Sequence, residues 1–397
     1  MTVDAVERDP HAVPPWRDVR VIQIGLQVLV ILAVGALIAF MAINFLAATQ
    51  RTGLGFGFSF LGRQAGFEIG ESLIPYSAAS TYLVAFMVGL VNTLFVSFVG
   101  IVLATILGIA VGVARLSPNW LLARVAAGYV ELMRNTPLLV QLVFLYFILL
   151  QLPGVRDSLS LGNVAFLNQR GLYLPGPLAG AGFAVWIGFW IAGVGALVAA
   201  RIVARRREDA GEDPGRLRLL GLVVLLALPA LGWFVTGGPL TFDVPVLGNF
   251  NFAGGIELST GFAALLAGLV IYTAAFIGEV VRGGIQAVRR GQVEAARALG
   301  LSEGQVLRLV VFPQALRIIV PPLTSEFLNV FKNSAVASTI GLIELSRQSQ
   351  QLVDYTAQPY EAFIAVTLLY FALNFLIMFF MRWVEARARV PGLIGSK

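Results

Sequence analysis

The sequence predicts an all-α polytopic membrane protein with about eight transmembrane helices and both termini cytoplasmic. Three observations carry that reading. Only 13% of the 397 residues are charged and 58% are hydrophobic, whereas a soluble domain has about 25% charged residues. Uncharged apolar stretches recur along the chain, each near the ~20 residues that cross the hydrocarbon core as a helix. The 28 basic residues gather in alternate connections between those stretches.

The stretches follow in order. Residues 21–49 are uncharged and too long for the apolar core of a cleaved leader, so they read as a retained anchor. Residues 82–114, 135–155, 171–200, 219–242, 258–278 and 362–381 also lack charge. Residues 318–343 carry only Glu326 and Lys332. Pro229, Gly237 and Gly238 shorten the regular part of 219–242. No repeat and no low-complexity segment is evident.

Cytoplasmic connections hold the excess of Arg and Lys. Segments 1–20, 115–134, 201–218, 282–317 and 382–397 hold 22 basic residues, and the alternate connections hold five. That places the N-terminus inside. It also explains a pI near 9.9 without nucleic acid, and makes Arg205-Arg206-Arg207 a topogenic run. The chain has no cysteine and one histidine, His11 in the polar tail. Disulfides, thiolate catalysis and a His-based metal cluster are therefore excluded.

The cytoplasmic loop from Gly291 to Pro313 reads GQVEAARALGLSEGQVLRLVVFP. Glu294-Ala295-Ala296 opens a short helix of good helix formers. Gly300 ends it where a left-handed residue is wanted. Ser302 caps a second helix, Gln305 completes a capping box, and Leu301 with Val306 can form a hydrophobic staple. Pro313 interrupts that second helix. The small side chains of Ala295, Ala296 and Ala298 would let another protein surface approach closely. The plain alternative is an amphipathic connection between two spans.

That spacing closely resembles the EAA loop of binding-protein-dependent ABC importer permeases. Val310 takes the usual Ile position and Phe312 the usual Leu position. Upstream, Glu131-Leu132-Met133-Arg134-Asn135-Thr136-Pro137 resembles the signature of polar amino acid permeases of the histidine/glutamine type, with Glu131, Arg134, Thr136 and Pro137 its marked positions. Asn135 replaces the usual glycine, and asparagine tolerates left-handed backbone. Residues 123–134 read as an interfacial helix ending in charge. Gly89 to Leu94, Pro313 to Arg317, Pro321-Pro322 and Asn329 to Ser334 extend the resemblance.

The resemblance implies a five-helix permease core plus one N-terminal and two inserted helices. The divisions are a tail 1–20, a first helix and periplasmic loop 21–81, core 82–151, an insertion 152–257, core 258–385 containing the coupling loop 283–317, and a tail 386–397. It implies a bacterial inner-membrane transport subunit, not an enzyme, for polar or general L-amino acids. Glu294, Ala295, Ala296 and Gly300, with Ser302 and Pro313, would dock on an ATPase dimer. A second homologous permease and a periplasmic amino acid-binding protein complete the partners, with lipid around them. ATP and Mg would bind the ATPase. This chain has only Lys332 and Lys397 as lysines, and neither lies in a phosphate-binding Walker A context.

An ionisable residue inside a span is a functional hypothesis by default. Lys332 lies about 14 residues into its span, ~20 Å deep at ~1.5 Å per residue. Ser325, Asn329, Lys332, Val336 and Thr339 share one helical face, and Glu326, Asn329 and Asn333 an adjoining one. These faces are expected to meet the partner permease or the solute path. Lys332 then either contacts a solute carboxylate or is a structural cation paired with a carboxylate such as Glu326. Gln141 and Tyr146 are further path candidates. Glu279 and Arg282 form a rim i,i+3 pair or a gate. Asn92 and Thr93 read as hydrogen-bonding between helices. A stand-alone ion-coupled amino acid transporter would leave the loop without a purpose and calls for inverted repeats. A membrane-embedded enzyme would rest on Glu326 and Lys332 alone.

Overall fold

Small residues let two long helices touch at the centre of the bundle. The computed structural model describes residues 17, 19–52 and 57–388; the tail containing His11 and the last residues lie outside them. α1 spans Val19–Thr52, α2 Tyr82–Ala114, α3 Trp120–Asn135 and α4 Leu138–Leu150. α5 spans Phe183–Asp209, α6 Gly215–Val235 and α7 Thr260–Gln286. On α2, Gly100, Ala104, Gly108 and Gly112 recur every fourth residue and are buried. A Cβ on Gly108 would lie 2.6 Å from Ile277 of α7, and one on Gly112 2.7 Å from the Gly278 carbonyl. This is the small-residue contact by which membrane helices approach closely. Leu265 and Leu269 of α7 and Val96 of α2 continue it into a buried apolar cluster.

The loop end of the bundle carries α8, Arg290–Ala298, and α9, Glu303–Val306. α10, Phe312–Ser334, α11, Leu345–Thr356, and α12, Pro359–Ala388, complete the chain. Seven helices are long and apolar enough to cross a membrane among the described residues, or eight if α3 and α4, bent by 107°, count as one span. The stretch 135–155 is less regular than expected. Its one long helix, α4, has 13 residues, about 20 Å at ~1.5 Å per residue. Thr136 and Pro137 are extended at the bend, with φ −109° and −58°, because proline disfavours helix in the residue before it. Asn135 stays helical as the last residue of α3. No left-handed turn is needed there, so asparagine replaces the family glycine without strain.

The insertion holds short strands that the sequence reading did not foresee. β1 is Leu159–Leu161, β2 Ala165–Asn168, β3 Gly171–Leu174, β4 Gly176–Ala179, β5 Leu240–Asp243, β6 Val246–Leu247, β7 Phe252–Ala253 and β8 Ile256–Ser259. One antiparallel sheet runs β1-β2-β3-β8, and two ribbons pair β4 with β5 and β6 with β7. The span expected from residue 171 therefore begins only at Phe183. The next helix ends at Val235, before Gly237 and Gly238 with φ of 69° and 85°. Thr260 seals the sheet to the core: its N–H donates to the Arg170 carbonyl at 3.1 Å and its hydroxyl to the Gln169 carbonyl at 2.7 Å.

Candidate coupling loop and solute path

α8 starts at Arg290, one turn earlier than the Glu294 expected. Its end is a Schellman motif. The Leu301 N–H donates to the Ala296 carbonyl at 3.3 Å and the Gly300 N–H to Arg297 at 2.9 Å, with Gly300 left-handed at φ 79°, as its role at C′ requires. Ser302 and Gln305 form the capping box, the Ser302 N–H donating to Gln305 Oε1 at 2.9 Å. Leu301 and Val306 join one apolar cluster. Arg297 bridges the two helices through paired bonds to Glu303 of 2.8 and 2.9 Å.

Two expectations for the loop are corrected. Ala296 is buried, 4% exposed, and packs with Val306, Val311 and Ala315, so it holds the loop on the bundle instead of offering a docking surface. Glu294, Ala295, Ala298 and Leu299 are the exposed face. Pro313 does not interrupt the helix. A π turn over Leu307–Val311 leads directly into α10, whose first turn contains Pro313.

On α10, Ser325, Asn329 and Lys332 are exposed in the single chain, while Glu326 and Asn333 are half-buried. The helix ends at Ser334 and a 3₁₀ segment, Ala335–Ile340, follows. The expected single α-helical face therefore stops before Val336 and Thr339, although Thr339 is exposed. Lys332 forms no ion pair with Glu326 among the described residues. Gln141 is buried, and its Nε2 donates to the carbonyls of Met133 (2.9 Å) and Thr136 (3.0 Å). It holds the α3–α4 bend and does not face an open path. Asn92 and Thr93 do link elements: Asn92 Nδ2 donates to the Ile343 carbonyl at 2.9 Å, and Thr93 Oγ1 accepts from the Leu345 N–H at 3.0 Å.

Glu279 and Arg282 pair as expected, and Arg115 at the end of α2 joins them on Glu279. Arg115 and Glu279, with Glu131, Arg134 and Phe276, line a cleft of about 360 Å³. The Arg134 guanidinium lies over the Phe276 ring, 5.3 Å from its centre. Sequence reasoning missed Arg115, although a basic residue ending one span and an acidic residue near the same end of another was the available signal.

Residues 214–390 match the family described as binding-protein-dependent transport system inner membrane component. A general L-amino acid transport system permease protein of Rhizobium johnstonii is 42% identical over 98% of this chain and 98% of its own length. The chain belongs to this permease family. A putative amino-acid ABC transporter permease of Escherichia coli is 41% identical to the permease, over 92% of this chain and 93% of that one. A glutamate/glutamine/aspartate/asparagine transport system permease of Rhodobacter capsulatus is 36% identical, over 91% and 92%. The permease is thus a multi-pass inner-membrane transport subunit of the ABC importer class.

Proposed function

We propose that this permease moves polar or general L-amino acids inward as half of a permease pair, using ATP hydrolysed with Mg on a separate ATPase dimer. A periplasmic binding protein delivers the solute. The single observation that supports coupling most directly is the α8–Gly300–α9 hairpin. Two short helices are pinned to the bundle by Ala296 and Val306 while Glu294, Ala295, Ala298 and Leu299 stay exposed. An apolar residue as exposed as Leu299, at 82%, on a basic loop fits a partner groove. The positive-inside bias puts that hairpin in the cytoplasm. ATP-driven closure of the ATPase pair would then move the hairpin and change which end of the permease pair is open.

The exposed α10 residues Ser325, Asn329 and Lys332 fit a face turned to the second permease, where Lys332 meets either a solute carboxylate or a partner's acid. Purification of the tagged chain from its membrane in mild detergent tests the reading. An ATPase bearing a Walker A loop is expected to accompany it. A chain that emerges alone and carries amino acids into vesicles without ATP overturns the reading in favour of a stand-alone transporter.

A further inference from the structure

Among the described elements, α5 and α6 of the insertion pack extensively only on each other. Small residues let them close. A Cβ on Gly221 of α6 would lie 2.8 Å from Ala200 of α5, and one on Gly193 of α5 3.2 Å from the Leu225 carbonyl of α6. Much of the remaining surface is exposed and apolar, with Val194 and Val198 on α5 and Leu222 and Leu226 on α6. At one end Trp186 meets Trp190 and Trp233, with ring centroids 6.1 and 5.7 Å apart. Such aromatic groups mark a membrane interface. From Trp186 to Arg205 is about 28 Å at ~1.5 Å per residue, close to the ~30 Å thickness of the hydrocarbon core. Arg205 therefore reaches the opposite interface, and Arg201 lies about one turn deeper.

That end holds six arginines, at 201, 205, 206, 207, 216 and 218. Arg207 pairs with Glu212 at 3.7 Å, and Arg218 of α6 pairs with Glu208 of α5. Arg201 and Arg205 are exposed and have no ion pair or side-chain hydrogen bond among the described residues. Val194, Val198, Arg201 and Arg205 follow one another at helical spacing, so they form one stripe along α5. Arg218 and Leu222 form a second stripe on α6. The bond from Arg218 to Glu208, one turn beyond Arg205, joins the two stripes on one flank. The flank runs from apolar side chains at membrane depth to three guanidiniums and one carboxylate at the interface, a net charge of about +2 when all are ionised.

The bias that sets orientation accounts for the number of these arginines. It does not account for two unpaired ones in line with an apolar stripe. Arg201 lies below the interface, out of reach of a soluble partner, while its long stem lets the guanidinium snorkel to headgroup level. Guanidiniums bind phosphate oxygens through forked, charge-assisted bonds.

We infer that this flank of the α5–α6 pair is a binding site for an anionic phospholipid of the cytoplasmic leaflet. Its phosphate lies between Arg201 and Arg205, and an acyl chain runs along Val194, Val198 and Leu222. A zwitterionic lipid brings a cation that the guanidiniums repel, so the site selects negative headgroups. The site belongs to the insertion and not to the permease core.

The complete transporter, delipidated in detergent and titrated with phosphatidylglycerol or phosphatidylethanolamine, tests this by native mass spectrometry. The wild type is expected to hold phosphatidylglycerol at least fivefold more tightly. The double variant Arg201→Gln, Arg205→Gln should lose that preference. The double variant Arg206→Gln, Arg216→Gln removes the same charge from other faces, because Arg206 lies about 100° round α5 from Arg205 and Arg216 about 200° round α6 from Arg218. It should bind as the wild type does. Glycerol phosphate, a headgroup without chains, should not compete. Equal loss in the two double variants would reduce the effect to diffuse attraction by net charge and overturn the site. Equal binding of the two lipids, or competition by glycerol phosphate, would do the same. A photo-crosslinking residue substituted at Val198 should capture lipid; capture of the second permease there overturns the inference. The lipid preference and the crosslink need no change at the arginines, so they decide the matter even if the first variant does not insert.

Discussion

Gly108 of α2 lies against Ile277 of α7 so closely that a Cβ added to the glycine would be 2.6 Å from the isoleucine side chain. No side chain larger than hydrogen fits without moving a helix. Gly108→Leu should cost about 1–3 kcal/mol or more by overpacking, read as a lower melting temperature of the detergent-solubilised chain. Gly100→Ala is the control. The nearest atom to its added Cβ is 3.8 Å away, so its melting temperature should stay near that of the wild type. A Gly108→Leu chain that melts with the wild type would show that α2 and α7 do not pack this way.

Glu279 holds two guanidiniums, Arg115 from α2 and Arg282 from its own helix. All three side chains are partly shielded, 15–28% exposed. Their worth should fall between an exposed pair, about 0–1 kcal/mol, and a broken buried one, about 3–5 kcal/mol. Glu279→Gln is expected to destabilise by about 1–2 kcal/mol and Arg115→Gln by less, because Glu279 keeps Arg282. In the double variant the two losses should not add. Strict additivity in thermal melts would mean that Arg115 and Glu279 do not interact.

The parts legible in the sequence were those set by local chemistry. Hydropathy located the long helices, and the order Gly300, Ser302, Gln305 fixed a helix end and a helix start within six residues. Strands of two to four residues are too short for an alternating pattern to register, so 152–257 read only as spans and loops. The burial of Ala296 depends on Val306, Val311 and Ala315 packing over it, which α8 alone cannot announce. Arg115 and Glu279 are 164 positions apart, and only the α2–α7 contact brings them together. Gln141 looked like a path residue because a polar group in a span usually serves function; here it takes up carbonyls freed by the bend at Thr136 and Pro137.

The α8–Gly300–α9 hairpin separates backbone from surface effects. Gly300 is left-handed at φ 79° with nothing within 4 Å of an added Cβ, so Gly300→Val acts through strain alone, about 1–2 kcal/mol and more for a β-branched residue. It should loosen the Schellman end and reduce ATPase co-purification. Glu294→Arg leaves the fold intact, since Glu294 is exposed, and should abolish co-purification without lowering the melting temperature. Gly291→Ala, with open space and no positive φ, should do neither. Undiminished ATPase recovery with Glu294→Arg would take the docking role away from this face.

Glu71 gives a pH dependence with a definite sign. Its carboxyl is raised from an ordinary value of 4.5 to about 7, first by burial and then by the Glu257 charge. Below pH 4.5 the group is protonated in both the folded and the unfolded chain, and its contribution to stability is fully present. Between about 4.5 and 7 the unfolded chain ionises while the folded chain keeps its proton, so stability falls as the pH rises. The loss is on the order of 3 kcal/mol by the time the folded group titrates. Thermal melts at pH 5 and pH 7.5 should show the wild type losing more stability than Glu71→Gln, which has no proton to lose. Glu257→Gln should shrink the wild-type loss only in part, because it removes the smaller of the two causes. Melting curves of wild type and Glu71→Gln that shift in parallel with pH would show that Glu71 is solvated as an ordinary surface carboxylate.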